Sequence, residues 1–200
     1  GAYGEDHDTA DGAYLSKAGS AYIFERDEFG TWNEVQKIVA SDRDSSDEYG
    51  WTVDVSGSTI IVGAHKEDHD EIGEDFIFRS GSVYVYDRGD DGIWVETQKV
   101  VAWDRQADSG GGDEDLDIWH YQDIDYGDLF GCSIGLSGDY MIVGAHNGDY
   151  NVDGLGGISQ AGAAYIFKRD AGGWEADQKV VATIRGGWDR YGYSVAIDSN

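Results

Sequence analysis

Three copies of one segment occur along the chain, and this repetition constrains the fold more than any other feature of the sequence. The copies align without gaps at residues 1–24, 63–86 and 144–167. A tryptophan, a Gln-Lys pair and an aromatic-glycine pair then follow each copy in the same order. In the second repeat these are Trp94, Gln98-Lys99 and Phe130-Gly131. A regular internal repeat indicates equivalent units that bury their cores against their neighbours.

Each repeat contains short segments with the composition of β-strands. In the second repeat they read WTVDV, TIIVGA, SVYVY and WVETQKVV. They are rich in β-branched and aromatic residues, and glycine-containing turn signals separate them. No segment has the apolar spacing of an amphipathic helix, and glycine is frequent throughout. The sequence therefore predicts an all-β fold of four-stranded antiparallel units, typical of β-propeller blades, with a β-sandwich as the alternative.

The repeats divide the chain into three parts of one propeller segment, at residues 1–62, 63–143 and 144–200. We expect the first part to lack its leading strands and the third to end before its next strand. The second part contains an inserted loop at about residues 103–129. Propellers generally close with about four to eight blades. We therefore expect the three repeats to stay open, or to be completed by further blades of a longer chain or by neighbouring chains.

The segment from Phe130-Gly131 to Gly144-Ala145 resembles the FG-GAP repeats of integrin α-chain head domains, and the other two repeats follow the same pattern. The resemblance covers almost the whole chain. It implies a β-propeller, calcium in acidic blade loops, and a non-catalytic role at the cell surface. The chain departs from the family in one respect. It contains no proline, and the position after each Gly-Ala, where the family has proline, is Tyr3, His65 or His146.

The charge balance limits the classes of partner. The chain has 40 acidic residues against 14 Lys and Arg, which gives a formal net charge of −26. This charge repels nucleic acids and anionic membranes, and no run approaches the roughly 18 apolar residues of a membrane helix. Cations are the natural partners of so many carboxylates, because their mutual repulsion destabilises a compact state.

The acidic loop after each Gly-Ala pair is the candidate calcium site. Calcium binds about six to eight oxygen atoms from carboxylates and carbonyls in tight turns. The third loop contains the pattern D-x-N-x-D-G, which opens many calcium loops. The candidate ligands are Asp6, Asp8 and Asp11 in the first repeat, Asp68 and Asp70 in the second, and Asp149, Asn151 and Asp153 in the third. The alternative is that these residues only form solvated turns.

Zinc and catalytic sites find less support in the sequence. His65 and His146 recur in phase, as do His7 and His69, but zinc needs about three or four nitrogen or sulfur ligands that converge. We find no serine-histidine-carboxylate arrangement and no phosphate-binding glycine loop. The sequence therefore predicts that the protein is not an enzyme.

Aromatic residues give predictions of two kinds. Three tryptophans recur in the same phase and are predicted packing anchors of the blades, namely Trp32, Trp94 and Trp174. The inserted loop of the second repeat contains a further aromatic group, namely Trp119, His120 and Tyr121. Because loops carry recognition more often than scaffolds do, this group is the candidate partner contact. The alternative is that it packs on its own blade.

These features together predict an extracellular or cell-surface, calcium-binding propeller module for adhesion or protein assembly, which meets a protein or glycan ligand at its loop face. Two alternatives remain open. One is a carbohydrate-binding propeller, in which exposed aromatic rings beside Asp bind a sugar. The other is a structural subunit of an extracellular filament or large complex, in which open ends propagate.

Overall fold

A computed structural model of the chain describes residues 1–8, 12, 14–105 and 127–199. These residues form ten strands, and none of them belongs to a helix that is long and apolar enough to cross a membrane. The strands are β1 Ala21–Arg26, β2 Trp32–Ile38, β3 Thr52–Ser56, β4 Thr59–Ala64, β5 Ser82–Arg88, β6 Trp94–Val100, β7 Ser133–Ser137, β8 Tyr140–Ala145, β9 Ala163–Asp170 and β10 Gly173–Val180.

The strands form three antiparallel sheets. The first sheet pairs β1 with β2, the second has the order β3-β4-β5-β6, and the third has the order β7-β8-β9-β10. Consecutive strands are neighbours in both four-stranded sheets, as in the blades of a β-propeller. The predicted all-β fold with four-stranded blades is confirmed. The repeat boundaries after residues 62 and 143 divide the sequence at the Gly-Ala pairs, so they fall within β4 and β8.

A β-bulge interrupts the last strand pair of every sheet at an equivalent position. The register shifts lie at Ile23/Phe24, at Val85/Tyr86 and at Ala176/Gln178. Because successive side chains of a strand alternate between its faces, one extra residue reverses the alternation. Trp94 and Gln98 of β6 therefore point to opposite faces, Trp94 towards the first sheet and Gln98 towards the third.

Two apolar cores lie between the sheets. The core between the first and second sheets includes Ile23, Ile38, Val62, Tyr84 and Trp94. The core between the second and third sheets includes Ile61, Val85, Met141, Tyr165 and Trp174. The second sheet is thus covered on both faces, and every residue of β4 is buried. Cover on both faces explains why β4 is a continuous apolar run in the sequence, without the alternation of a half-exposed strand.

Candidate functional site

The predicted calcium ligands lie in three loops of equivalent position, namely the first loop (residues 5–20), the second loop (67–82) and the third loop (148–163). Each loop is closed by one hydrogen bond between its ends, from Gly19 N to Glu5 O, from Gly81 N to Glu67 O and from Gly162 N to Gly148 O, at 2.8 to 2.9 Å. Gly81 has a φ of +84°, and a Cβ atom there would lie 2.1 Å from Phe130 O. Only glycine fits this close approach.

The first aspartate of each loop stabilises a left-handed residue on the opposite side of the loop. Its Oδ1 accepts a hydrogen bond from the backbone N–H of the residue eleven positions later. The pairs are Asp6 with Lys17 (2.6 Å), Asp68 with Arg79 (2.5 Å) and Asp149 with Gln160 (2.6 Å). Lys17, Arg79 and Gln160 all have positive φ, between 49° and 53°. The carboxylates thereby offset the strain of a conformation that side-chain-bearing residues rarely adopt.

The other candidate ligands that the structure describes form turns within the loops. Asp8, Asp70 and Asn151 each accept a hydrogen bond from the backbone N–H four residues later, at 2.8 to 3.0 Å. Asp153 accepts one from Leu155 N at 3.1 Å. Short polar side chains commonly cap turns in this way.

No three His, Cys, Asp or Glu side chains converge on a point that could hold a metal ion within the described ranges. To bind calcium, the carboxylates of these loops would have to give up their hydrogen bonds to backbone N–H groups and coordinate the cation instead. Asp11 and the aromatic group Trp119, His120 and Tyr121 lie outside the described residues. The calcium site and the partner contact therefore stay predictions.

A buried glutamate at the start of the second loop holds a lysine of the same repeat. Glu67 is 1% exposed, and its Oε2 accepts a hydrogen bond from Ser82 Oγ at 2.7 Å and lies 3.0 Å from Lys99 Nζ. Glu5 has the equivalent position in the first loop. Hydrogen bonds from Tyr22 and then from Lys37 lower the pKa of Glu5 to about 2. The third repeat has Gly148 there instead.

Asp42 and Asp104 connect neighbouring sheets. Asp42 follows the first sheet and accepts hydrogen bonds from Tyr84 Oη and Lys99 Nζ of the second sheet, both at 2.7 Å. Asp104 follows the second sheet and accepts them from Tyr165 Oη at 2.8 Å and Lys179 Nζ at 2.6 Å. The sequence contained one indication of this contact between sheets, because Asp42 and Asp104 follow a Gln-Lys pair at the same sequence spacing.

A glutamine of each of the first two sheets clamps the backbone of the next sheet. Gln36 donates from Nε2 to Trp94 O at 2.7 Å and accepts from Trp94 N at 2.9 Å. Gln98 makes the same two bonds to Trp174 O and Trp174 N, both at 2.8 Å. Each amide side chain thus acts as a short substitute for a further strand at the edge of the next sheet.

Two buried titratable groups lie where the first two sheets meet the loops. Burial raises the pKa of Asp47 to about 8, and the negative charges of Glu67 and Asp68 act in the same direction. A hydrogen bond from Asp44 N acts in the opposite direction but is outweighed. Burial, with the positive charges of Lys66 and His146, lowers the pKa of His65 to about 3. His65 also packs against the Trp51 ring, with 4.3 Å between ring centroids.

Two grooves of equivalent position open between the sheets and the loops. The groove beside the second loop has a volume of about 580 Å³, and its lining includes Asp42, Glu71 and Lys99. The groove beside the third loop has a volume of about 480 Å³ and includes Trp103 and Lys179. Trp103 is 46% exposed and packs edge-on against Tyr165 at 4.9 Å. An exposed indole beside polar side chains can stack on an apolar ligand face.

The single cysteine, Cys132, is buried one residue before β7, and burial raises the pKa of its thiol to about 11. The reactive form of cysteine is the thiolate, so burial disfavours the reactive form of this residue at neutral pH.

Comparison with known proteins gives one family. The model of the FG-GAP repeat matches residues 32–86 and 122–167, which together make up just over half of the chain. The first match includes β2, β3, β4 and most of β5, and the second includes β7, β8 and most of β9. A search of curated proteins found no match.

Proposed function

The chain belongs to the FG-GAP repeat family, and on that premise we propose that it is an extracellular adhesion or assembly module that binds Ca²⁺ in its acidic loops and a protein ligand at the face that carries them. FG-GAP repeats form β-propeller-like protein-interaction modules and are generally non-catalytic.

The observation that supports the proposal is the shared construction of the three loops. Each is fixed to its own repeat by an arginine that follows the Gln-Lys strand and donates to a loop carbonyl oxygen. The pairs are Arg43 with Asp6 O (3.3 Å), Arg105 with Asp75 O (2.7 Å) and Arg185 with Asp149 O (3.0 Å). Loops held in equivalent positions by a rigid scaffold are the usual carriers of recognition.

Calcium is part of the proposal because of charge. The carboxylates of a chain with a net charge of −26 repel one another, and a divalent cation at the loops would relieve that repulsion. The loop arginines already supply some positive charge there, and the loop carboxylates already accept backbone hydrogen bonds. Calcium has to compete with both, and this favours the weak affinities, about 10⁻⁴ to 10⁻³ M, of extracellular calcium modules.

Thermal unfolding tests the calcium part directly. We expect the melting temperature to rise with Ca²⁺ at millimolar concentration, to rise less with Mg²⁺ and to fall back with EDTA, because a ligand of the native state alone stabilises it. The double variant Asn151→Ala/Asp153→Ala should lose the third loop's share of the rise, whereas the Asp90→Ala control at an exposed hairpin should keep all of it. An unchanged melting temperature in Ca²⁺ would leave the loops as solvated turns.

Arrays of extracellular protein domains and of glycans test the ligand part. We expect the immobilised chain to bind a protein domain in Ca²⁺, and the third-loop double variant to lose that ligand. The groove with exposed Trp103 favours the carbohydrate-binding alternative. Binding to glycans only, abolished by Trp103→Ala, would replace the protein ligand by a sugar.

A further inference from the structure

One face of the first sheet is uncovered, although its equivalents in the other two sheets are core surfaces. This uncovered face contains Phe24 and Trp32, which are 50% and 65% exposed. The equivalent residues are 3% and 7% exposed in the second sheet and 3% and 5% in the third, namely Tyr86, Trp94, Phe167 and Trp174. The uncovered face is therefore built as a contact surface between sheets.

The contacts that cover its equivalents show what fits on it. In both interfaces the preceding sheet supplies a glutamine amide to the tryptophan backbone, as Gln36 does for Trp94. It also supplies a carboxylate to an arginine, from Glu25 to Arg88 at 2.6 Å and from Asp87 to Arg169 at 2.9 Å. The equivalent arginine of the uncovered face is Arg26.

The loop that follows the preceding sheet supplies a second carboxylate. Asp42 and Asp104 each bind a lysine and a tyrosine of the following sheet. The equivalent pair of the first sheet is Tyr22 and Lys37, which Glu5 binds at 2.7 and 2.9 Å. Lys37 Nζ also donates to His7 O at 3.2 Å and Asp8 O at 3.0 Å, and a partner's carboxylate would replace one of these bonds. A partner of the uncovered face would thus present an amide to the backbone of Trp32, one carboxylate to Arg26 and a second carboxylate to Lys37.

The third sheet of a second copy of this chain meets only one of these requirements. Gln178 stands at the position of Gln36 and Gln98 and is exposed. Lys168, however, replaces Glu25 and Asp87, so it would face Arg26 of the next copy. Ile184, which is 88% exposed, replaces Asp42 and Asp104. Like charges placed opposite each other suppress wrong pairings.

We propose that the uncovered face binds an FG-GAP-type sheet that presents a glutamine to Trp32, a carboxylate to Arg26 and an aspartate to Lys37, and that the third sheet of a second copy is not this partner. The partner is an acidic sheet of the kind formed by this chain's own first two sheets. Copies of this chain therefore do not stack through this contact. This inference builds on the interaction role proposed above but does not depend on calcium.

The test converts the third sheet into such a partner. A donor variant carries Lys168→Glu and Ile184→Asp, together with Trp32→Glu to block its own uncovered face. The matched control donor carries Trp32→Glu only. All three positions are exposed, so we expect the folds to be unaffected, and circular dichroism checks this. Analytical ultracentrifugation and calorimetry in EDTA then measure binding to the unmodified chain.

We expect the donor to form a one-to-one complex with the unmodified chain, with a dissociation constant at least about tenfold below that of the control donor. Adding Gln178→Ala to the donor should weaken this complex. Equal binding by donor and control, no binding by the donor, or self-association of the unmodified chain that Trp32→Glu abolishes would each overturn the proposal. Because the readout is sheet-to-sheet binding without calcium, failure here differs from failure of the loop ligand.

Discussion

Trp32 and Trp94 have the same position in their repeats but opposite surroundings. Trp94 is buried against the first sheet, and its backbone is clamped by Gln36. Trp32 lies on β2 with 65% of its surface exposed. Both follow a hairpin whose partner strand carries an arginine, Arg26 or Arg88, directly opposite.

The difference shows that the neighbouring sheet, and not the repeat itself, decides what a repeated residue contributes. Side chains that a repeat directs towards its neighbour stabilise the fold only where that neighbour is present. Where that neighbour is absent, as at Trp32, the same residue is exposed and lies on the face that we propose binds a partner sheet.

The largest effect is expected for the tryptophans. Trp94→Ala should lower the free energy of unfolding by about 3 to 5 kcal/mol, because it removes a large buried side chain and leaves a cavity. Trp32→Ala should change it by less than about 0.5 kcal/mol. Urea unfolding followed by circular dichroism measures both. Equal losses would contradict the assignment of Trp32 to an uncovered face.

The next largest effect is expected at Asp47, compared with its equivalent Asp189. Each of these aspartates accepts a hydrogen bond from the backbone N–H three residues earlier. Asp47 is buried and its pKa is raised to about 8, whereas Asp189 is exposed. Between the unfolded pKa near 4 and about 8, the folded state retains a proton that the unfolded state loses. Asp47 therefore makes stability fall as pH rises through this window.

Asp47→Asn should remove that fall and raise the free energy of unfolding at pH 7 by as much as about 4 kcal/mol, because about three pH units separate the unfolded pKa from pH 7 and each corresponds to about 1.4 kcal/mol. Asp189→Asn, at the exposed equivalent, should change the free energy of unfolding by less than about 0.5 kcal/mol. Urea midpoints recorded from pH 4 to pH 8 give the comparison. A parallel pH dependence of Asp47→Asn and the unmodified chain would show that Asp47 is ionised in the folded state.

The glutamine clamp should have a smaller effect. Gln98→Ala removes two hydrogen bonds to Trp174, and we expect a loss of about 1 kcal/mol. Gln178→Ala, at the exposed equivalent, should be neutral within the error of a urea titration. A loss of similar size for both would mean that Gln178 already has a structural partner in the chain alone.

The smallest expected difference is between two aspartates of the third loop, Asp149 and Asp153, in the free energy of unfolding measured in EDTA. Asp149→Ala should cost about 1 kcal/mol, because Asp149 holds the left-handed residue Gln160. Asp153→Ala removes one exposed turn contact and should cost less than about 0.5 kcal/mol. The reverse order would show that the turn at Asp153 stabilises the third loop more than the Asp149 bond does.

The sequence predicted the strands and their grouping into four-stranded units well, because β-branched runs such as β4 and the phase of the repeats are local signals. It also predicted Trp32, Trp94 and Trp174 as packing anchors, which holds for the last two and not for Trp32. That failure has a physical reason, because burial depends on a neighbouring sheet that sequence phase does not report. The clamp by Gln98 was missed because a bulge reverses the side-chain alternation on which strand patterns rely.

Amide hydrogen exchange at the three equivalent tryptophans tests the central claim most directly. The backbone N–H groups of Trp94 and Trp174 donate to glutamine side chains of the preceding sheets. We therefore predict strong protection at Trp94 and Trp174 and fast exchange at Trp32, measured by nuclear magnetic resonance under native conditions. Equal protection at all three amides would contradict the account, because it would require that a sheet already covers the face of Trp32.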